Sequence, residues 1–214
     1  MTTAPLPLLD ARGIRADHDG RAALHDVSIA LLRGEIVALA GANGSGKSTL
    51  LGALAGTHPT SAGSVERAAA TRIAYVVQRS SVPDGLPLTV HDAVTMGRWA
   101  GRPLWRPLGR TDREIVRASI AALGLEGLER RPFHALSGGQ RQRALVAQGL
   151  AQRADVLLLD EPTAGLDEEA HELIARAVEA EARRGVAVVH ATHDPDVMTR
   201  ADRVVRLERG WIVR

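Results

Sequence analysis

Residues 35–56, EIVALAGANGSGKSTLLGALAG, constrain the fold more than any other stretch of this chain. Five apolar residues (36–40) run directly into a loop containing Gly41, Gly44 and Gly46, and a helix-forming segment follows, ending near Gly56. Gly41 to Ser48 fits G-x-x-x-x-G-K-[ST]. In such a loop the glycines let the backbone curl, so that successive N–H groups point into one concavity. The N-terminus of the following helix adds partial positive charge. The pattern predicts a nucleoside triphosphate site made by Gly41, Asn43, Gly44, Ser45, Gly46, Lys47, Ser48 and Thr49. Lys47 would reach the β- and γ-phosphates and Ser48 would ligate Mg²⁺. The chain has 27 Lys plus Arg, and Lys47 is its only lysine. A phosphate loop calls for a compact charge on a slender stem, where the planar fork of arginine is too wide. The loop alone leaves kinase, GTPase, recombinase and transport motor open.

The rest of the chain alternates strand and helix patterns, which argues for an α/β fold. LLDARGIRA, DVSIALL, RIAYVVQ (72–78), DVLLLD (155–160) and VAVVHATH read as strands, and RVVRLERGWIVR as a terminal hairpin. DVLLLD is continuously apolar before its acid, as expected of a central parallel strand covered on both faces. Residues 80–153 differ: LTVHDAVTMGR, TDREIVRASIAALGL and GQRQRALVAQGLAQR carry helical periodicity, with WAGRPLWRPLG between the first two. This reads as a helical insert. EEAHELIARAVEAEARR is a further helix, with Gly185 just past its end.

Composition narrows the functional classes. There is no cysteine, so disulfides, thiolate metal sites and cysteine nucleophiles are excluded. No run approaches the roughly 18 apolar residues that span a bilayer, and the N-terminus lacks a signal-peptide pattern. The chain is expected to be soluble, with any membrane role exercised through a partner. The pI of about 9.8 accompanies a net charge of only +2, with acids scattered among the arginines. That favours a solvated surface over a nucleic-acid stripe, and no nucleic-acid partner is expected. The eight histidines form no ligand cluster. His190 and His193 in HATH, three apart on a strand, point to opposite faces and do not read as a metal pair.

Asp160 and Glu161 end an apolar strand, which places both acids at the top of the sheet beside the phosphate loop. Asp160 would hold Mg²⁺, and Glu161 would polarise an attacking water. LSGGQ (136–140) lies between loop and acids. With it, the chain over essentially its whole length resembles the ABC ATPases: Gln78 matches the Q-loop, Asp167 in GLD the D-loop, and His193 the switch histidine.

The resemblance implies a single domain over 1–214. It would have a P-loop NTPase core with a mainly parallel central sheet and an N-terminal antiparallel β subdomain (1–79 and 154–214). An inserted α-helical signature subdomain would occupy about 80–153. It implies ATP and Mg²⁺ as cofactors, with Gln78 a further Mg²⁺ contact, and Glu161, His193 and Gln78 in catalysis. Ser137, Gly138, Gly139 and Gln140 would face the γ-phosphate bound by a second protomer, so that two ATP molecules complete a head-to-tail dimer. The family's adenine-stacking aromatic falls on His18, a smaller ring. One nucleotide unit and no membrane span imply a motor subunit. It would sit at the cytoplasmic face of the cell membrane on separate permease chains, in a system with an extracytoplasmic solute-binding protein. LPLTVHDAVTMGR (86–98) is similar to zinc or manganese importers, with iron-chelate and cobalamin importers sharing the V…MGR pattern. A non-transport ABC ATPase of the cell-envelope type is the other reading. The insert would carry the permease contact, with Trp99 and Trp105 either rimming it or capping the insert's own core.

Overall fold

A computed structural model describes residues 6–78, 87–99 and 107–213. Trp105 therefore lies outside the described residues. The chain divides into two compact units: residues 1–75, 154–161 and 178–214, and residues 76–153 with 162–177. The sequence reading had kept everything from 154 onward with the core; the packing instead groups 162–177 with the helical unit.

The first unit contains two sheets. β1 (Leu9–His18), β2 (Arg21–Leu31) and β4 (Ala62–Arg67) form an antiparallel sheet of order β2-β1-β4. β4 was not foreseen, because its exposed, mostly polar residues carry no period-two apolar signal. The larger sheet has the order β5-β6-β7-β3-β8-β9, with β5 at Ile73–Val76, β6 at Val156–Asp160, β7 at Ala187–Thr192, β3 at Ile36–Ala40, β8 at Arg203–Glu208 and β9 at Trp211–Val213. β6, β7, β3 and β8 run parallel, and β9 pairs antiparallel with β8. β3, β6 and β7 are buried at every residue, which is why they read as unbroken apolar runs. β5 alternates and lies at the sheet edge, shorter than the expected 72–78.

α1 (Lys47–Ala55) packs against β1, β2 and β6. A helix covered by sheet on more than one side must be apolar around most of its circumference, and Leu50, Leu51 and Leu54 are wholly buried. Gly56 at φ 77° ends it in the left-handed turn that glycine allows. This aliphatic core holds the strand–loop–helix segment at both of its ends.

In the second unit α2 (Val90–Met96), α3 (Arg110–Ala122) and α4 (Gly138–Ala151) pack on one another. The MGR pattern has a packing reason here. A Cβ on Gly97 would collide with the Gln148 carbonyl, so glycine lets α2 approach α4. Arg98, mostly buried, pairs with Asp112 at 3.0 Å and donates to the Ala151 carbonyl at 2.6 Å. Trp99 is 50% exposed, which favours its reading as surface rim over core cap. α5 (Glu168–Arg183) and the short α6 (Pro195–Thr199) complete the elements used below. No helix among the described residues is long and apolar enough to cross a membrane.

Candidate active site

The loop between β3 and α1 is shaped by close backbone approach. Gly46 takes φ 105°, and a Cβ there would lie 2.7 Å from the Ala23 carbonyl. A Cβ on Gly41 would collide with the Leu207 carbonyl and the Ser45 hydroxyl. Ser45 is buried, and its Oγ has no hydrogen-bond partner among the described residues. Asn43, Gly44 and Ser48 are exposed and Thr49 is buried in the first turn of α1. No side chain caps that helix, so its first N–H groups are left for a ligand.

Lys47 is 4% exposed at its side chain. Its Nζ donates to the carbonyls of Gly41 at 2.8 Å and Ala42 at 3.1 Å, and pairs with Glu161 Oε1 at 3.0 Å. The ammonium is thus held by two hydrogen bonds and a close ion pair. A planar guanidinium cannot reproduce that arrangement in the same volume. The pairing with Glu161 had no sequence signal, since 113 intervening residues separate the two.

Glu161 follows β6 directly and adopts φ 45°, a left-handed conformation unusual for a residue with a side chain. Its N–H donates to the Ala191 carbonyl at 3.1 Å. The twist turns a carboxylate that is 9% exposed towards Lys47. His193 Nδ1 stands 3.8 Å from the same Oε1, on a side chain 63% exposed just beyond β7. His190 is buried within β7, so the two histidines of HATH do not converge, and no metal-binding cluster occurs among the described residues.

Asp160, the last residue of β6, is 4% exposed. Its Oδ2 accepts a long hydrogen bond from the Tyr75 hydroxyl at 3.5 Å, and its Oδ1 has no partner among the described residues. Burial holds its carboxyl above the usual carboxylate range; the Glu161 charge adds to the shift, and the Ser48 hydroxyl, Lys47 and Tyr75 oppose it. Ser48 does so without meeting Oδ1 at hydrogen-bonding geometry. A buried anion with one bare oxygen is a fitting ligand for a hard divalent cation, which prefers oxygen donors. Burial, then the Asp160 charge, pushes the Tyr75 hydroxyl up in turn. Tyr75 was missed as a site residue, although a lone tyrosine in RIAYVVQ was a visible signal.

The second unit holds the other predicted residues. Ser137 is the N-cap of α4: its Oγ accepts from Gln140 N at 3.2 Å, while Gln140 Oε1 accepts from Ser137 N at 3.1 Å. Gly138 and Gly139 open the helix, and a Cβ on Gly139 would lie 3.2 Å from Leu166 Cδ2. The LSGGQ segment and the GLD turn are therefore neighbours. Asp167 Oδ1 accepts from Ala170 N at 2.9 Å and caps α5. His171, unremarked in the sequence, donates to the Thr163 carbonyl at 2.8 Å and fastens the same turn. Gln78 is exposed two residues past β5, not at its end as expected. In the first unit, His18 ends β1 and is exposed.

Comparison with known proteins settles the family. Residues 24–164 match the ABC transporter family. The chain belongs to it. As a member it is an ABC ATP-binding cassette and an ATPase. The zinc import ATP-binding protein ZnuC of Ruegeria pomeroyi is 39% identical over 202 residues, covering 93% of this chain and 74% of that protein. The hemin import ATP-binding protein HmuV of Streptomyces coelicolor is 41% identical over 219 residues, covering 96% and 76%. The dimeric structure of a bacterial ABC transporter cassette superposes with a TM-score of 0.83 at 25% identity, covering 96% of this chain and 97% of that one.

Proposed function

We propose that this cassette is the motor subunit of an importer, hydrolysing ATP at a head-to-tail dimer interface and driving separate membrane permease subunits. The observation that carries the hydrolytic part is the buried contact of Lys47 with Glu161, next to Asp160 and with His193 at its edge. In this reading the triphosphate takes the ammonium of Lys47 away from the two loop carbonyls and from Glu161. Glu161, relieved of its cation, then accepts the proton of the attacking water, and His193 holds the water's orientation. Asp160, Ser48 and Gln78 would hold Mg²⁺, which when bound neutralises charge on the phosphates. His18 would stack on the base. Ser137 to Gln140 would reach the γ-phosphate bound to the partner copy, with Asp167 at the same interface. The dimeric relative supports that arrangement, as do the N–H groups of Gly138 and Gly139, which the capping box at the start of α4 does not use.

The cargo we favour is a divalent metal ion, zinc or manganese. Two observations bear on it: the similarity to ZnuC, and the similarity to HmuV, which favours a hemin or iron-chelate cargo as the second reading. An extracytoplasmic solute-binding protein and a position on the cytoplasmic face of the membrane complete the proposal. The test is to capture the Glu161→Gln variant with ATP and Mg²⁺, identify the co-purifying polytopic protein and reconstitute it with the wild-type cassette. Glu161→Gln is expected to bind ATP, to dimerise and to hydrolyse about 10²-fold more slowly or worse. Normal turnover in that variant refutes the role of Glu161. ATPase stimulation by zinc- or manganese-loaded binding protein supports the first cargo, and stimulation by a hemin-loaded one supports the second.

A further inference from the structure

We propose that His58 is a positioning residue for the nucleotide base: it braces His18, so that the exposed imidazole presents a fixed ring face. The proposal rests on the reading of His18 as the base-stacking residue. His18 ends β1 at the tight Asp19–Gly20 turn, where both turn residues have positive φ. Its side chain is 64% exposed, and the Asp19 carboxylate 3.7 Å away is itself exposed and too distant for a hydrogen bond. Such a ring has rotamer freedom to lose when a base stacks on it, and that loss weakens binding.

His58 supplies the missing restraint. The two rings lie with centroids 5.9 Å apart and planes tilted by 31°, within the range of favourable aromatic pairs. Unlike His18, His58 is anchored. Its Nε2 lies 2.8 Å from the Asp17 carbonyl, one residue before His18. A carbonyl only accepts, so Nε2 carries the proton and the ring is held against the end of β1. Its backbone is equally fixed: the N–H groups of Thr57 and His58 both donate to the Gly52 carbonyl, at 2.9 and 3.1 Å. A Cβ on Gly52 would lie 2.9 Å from His58 Cβ, so a glycine inside α1 lets this residue fold back against the helix. One more bond, from Ser61 N to the Arg15 carbonyl at 2.7 Å, ties the following loop to β1. The helix that starts at the phosphate loop thus ends by fixing the ring beneath the base. The exposed, smaller histidine at the stacking position has acquired a second ring in place of bulk.

The test separates the base from the phosphates. Binding of ATP and of inorganic tripolyphosphate is measured calorimetrically for the intact chain and for His18→Ala, His58→Ala, His58→Gln and the double alanine variant. His58→Ala is expected to weaken ATP about 3- to 10-fold and to leave tripolyphosphate unchanged. His58→Gln, which can still donate to the Asp17 carbonyl but has no ring, is expected to behave like His58→Ala. The double variant should bind ATP no more weakly than His18→Ala alone. Equal loss for ATP and tripolyphosphate would make His58 a structural residue and overturn the proposal, as would full ATP affinity in His58→Gln. Loss in His18→Ala with none in His58→Ala overturns the brace but keeps His18 as the stacking residue. No loss in His18→Ala removes the reading on which the brace depends.

Discussion

Lys47→Met tests whether the ion pair at the centre of the site is a structural element of the nucleotide-free protein. The Lys47 and Glu161 side chains are 4% and 9% exposed and 3.0 Å apart. Removing one partner of a buried pair leaves the other charge without its counterion, which costs about 3–5 kcal/mol. The Gly41 and Ala42 carbonyls lose their donor as well, although water can replace it at the loop surface. For a chain of this size 1 kcal/mol moves the melting temperature by about 2–4 °C, so Lys47→Met should melt roughly 6–20 °C below wild type. Glu161→Gln should cost less, about 1–3 kcal/mol, because Lys47 keeps both carbonyls. The double variant Lys47→Met/Glu161→Gln has neither charge and should be more stable than Lys47→Met alone by about 2 kcal/mol or more. The assay is a double-mutant cycle from thermal and urea unfolding at pH 7 and moderate salt, with chelator and no nucleotide. A coupling below about 0.5 kcal/mol, the limit for independent sites, refutes the buried pair. Lys47→Arg, assayed separately with ATP and Mg²⁺, tests charge against shape: it should hydrolyse ATP far more slowly, since a planar fork cannot replace one ammonium shared by two carbonyls and a carboxylate. Normal turnover there would mean that charge alone suffices.

Asp160→Asn should raise the melting temperature of the metal-free protein at pH 7. The folded carboxyl titrates above its ordinary value of 3.8, so stability is lost as pH rises from that value through the folded one, and asparagine removes this slope. Melting curves from pH 4 to 8 that show the same pH dependence for both proteins would sink the argument. Ser137→Arg removes the α4 cap, costing about 1 kcal/mol, and should abolish turnover while leaving ATP affinity of the isolated chain near wild type; a collapse of affinity, measured by equilibrium binding, would show that the segment does not act on a partner's nucleotide.

How much of this was legible in the sequence depends on the distance over which each feature is encoded. The phosphate loop, the apolar strands β3, β6 and β7, the helix α1 with its terminal glycine and the α4 cap are local. Their signals are spacing, continuous burial and glycine at a forced position, all carried by neighbouring residues. The motif order from Gln78 to His193 likewise sufficed for the family. β4 escaped because its exposed face has no apolar period, and spacing alone did not reveal that Gly97 and Arg98 of the MGR pattern make a helix contact and a mostly buried ion pair.

Only the tertiary structure decided how the charged groups meet. Parallel strands bring residues far apart in sequence to one sheet end, and no local pattern records which side chain then faces which. The sequence by itself determined that Lys47, Asp160 and Glu161 lie at the top of one sheet. That Glu161 twists to φ 45° and pairs with Lys47, that Asp160 keeps one oxygen bare, and that His58 comes to rest against His18 follow from packing. The physical reason is that a buried charge must find its partner in three dimensions. The only lysine of the chain, conspicuous from composition, is held by two carbonyls and a carboxylate that composition could not reveal.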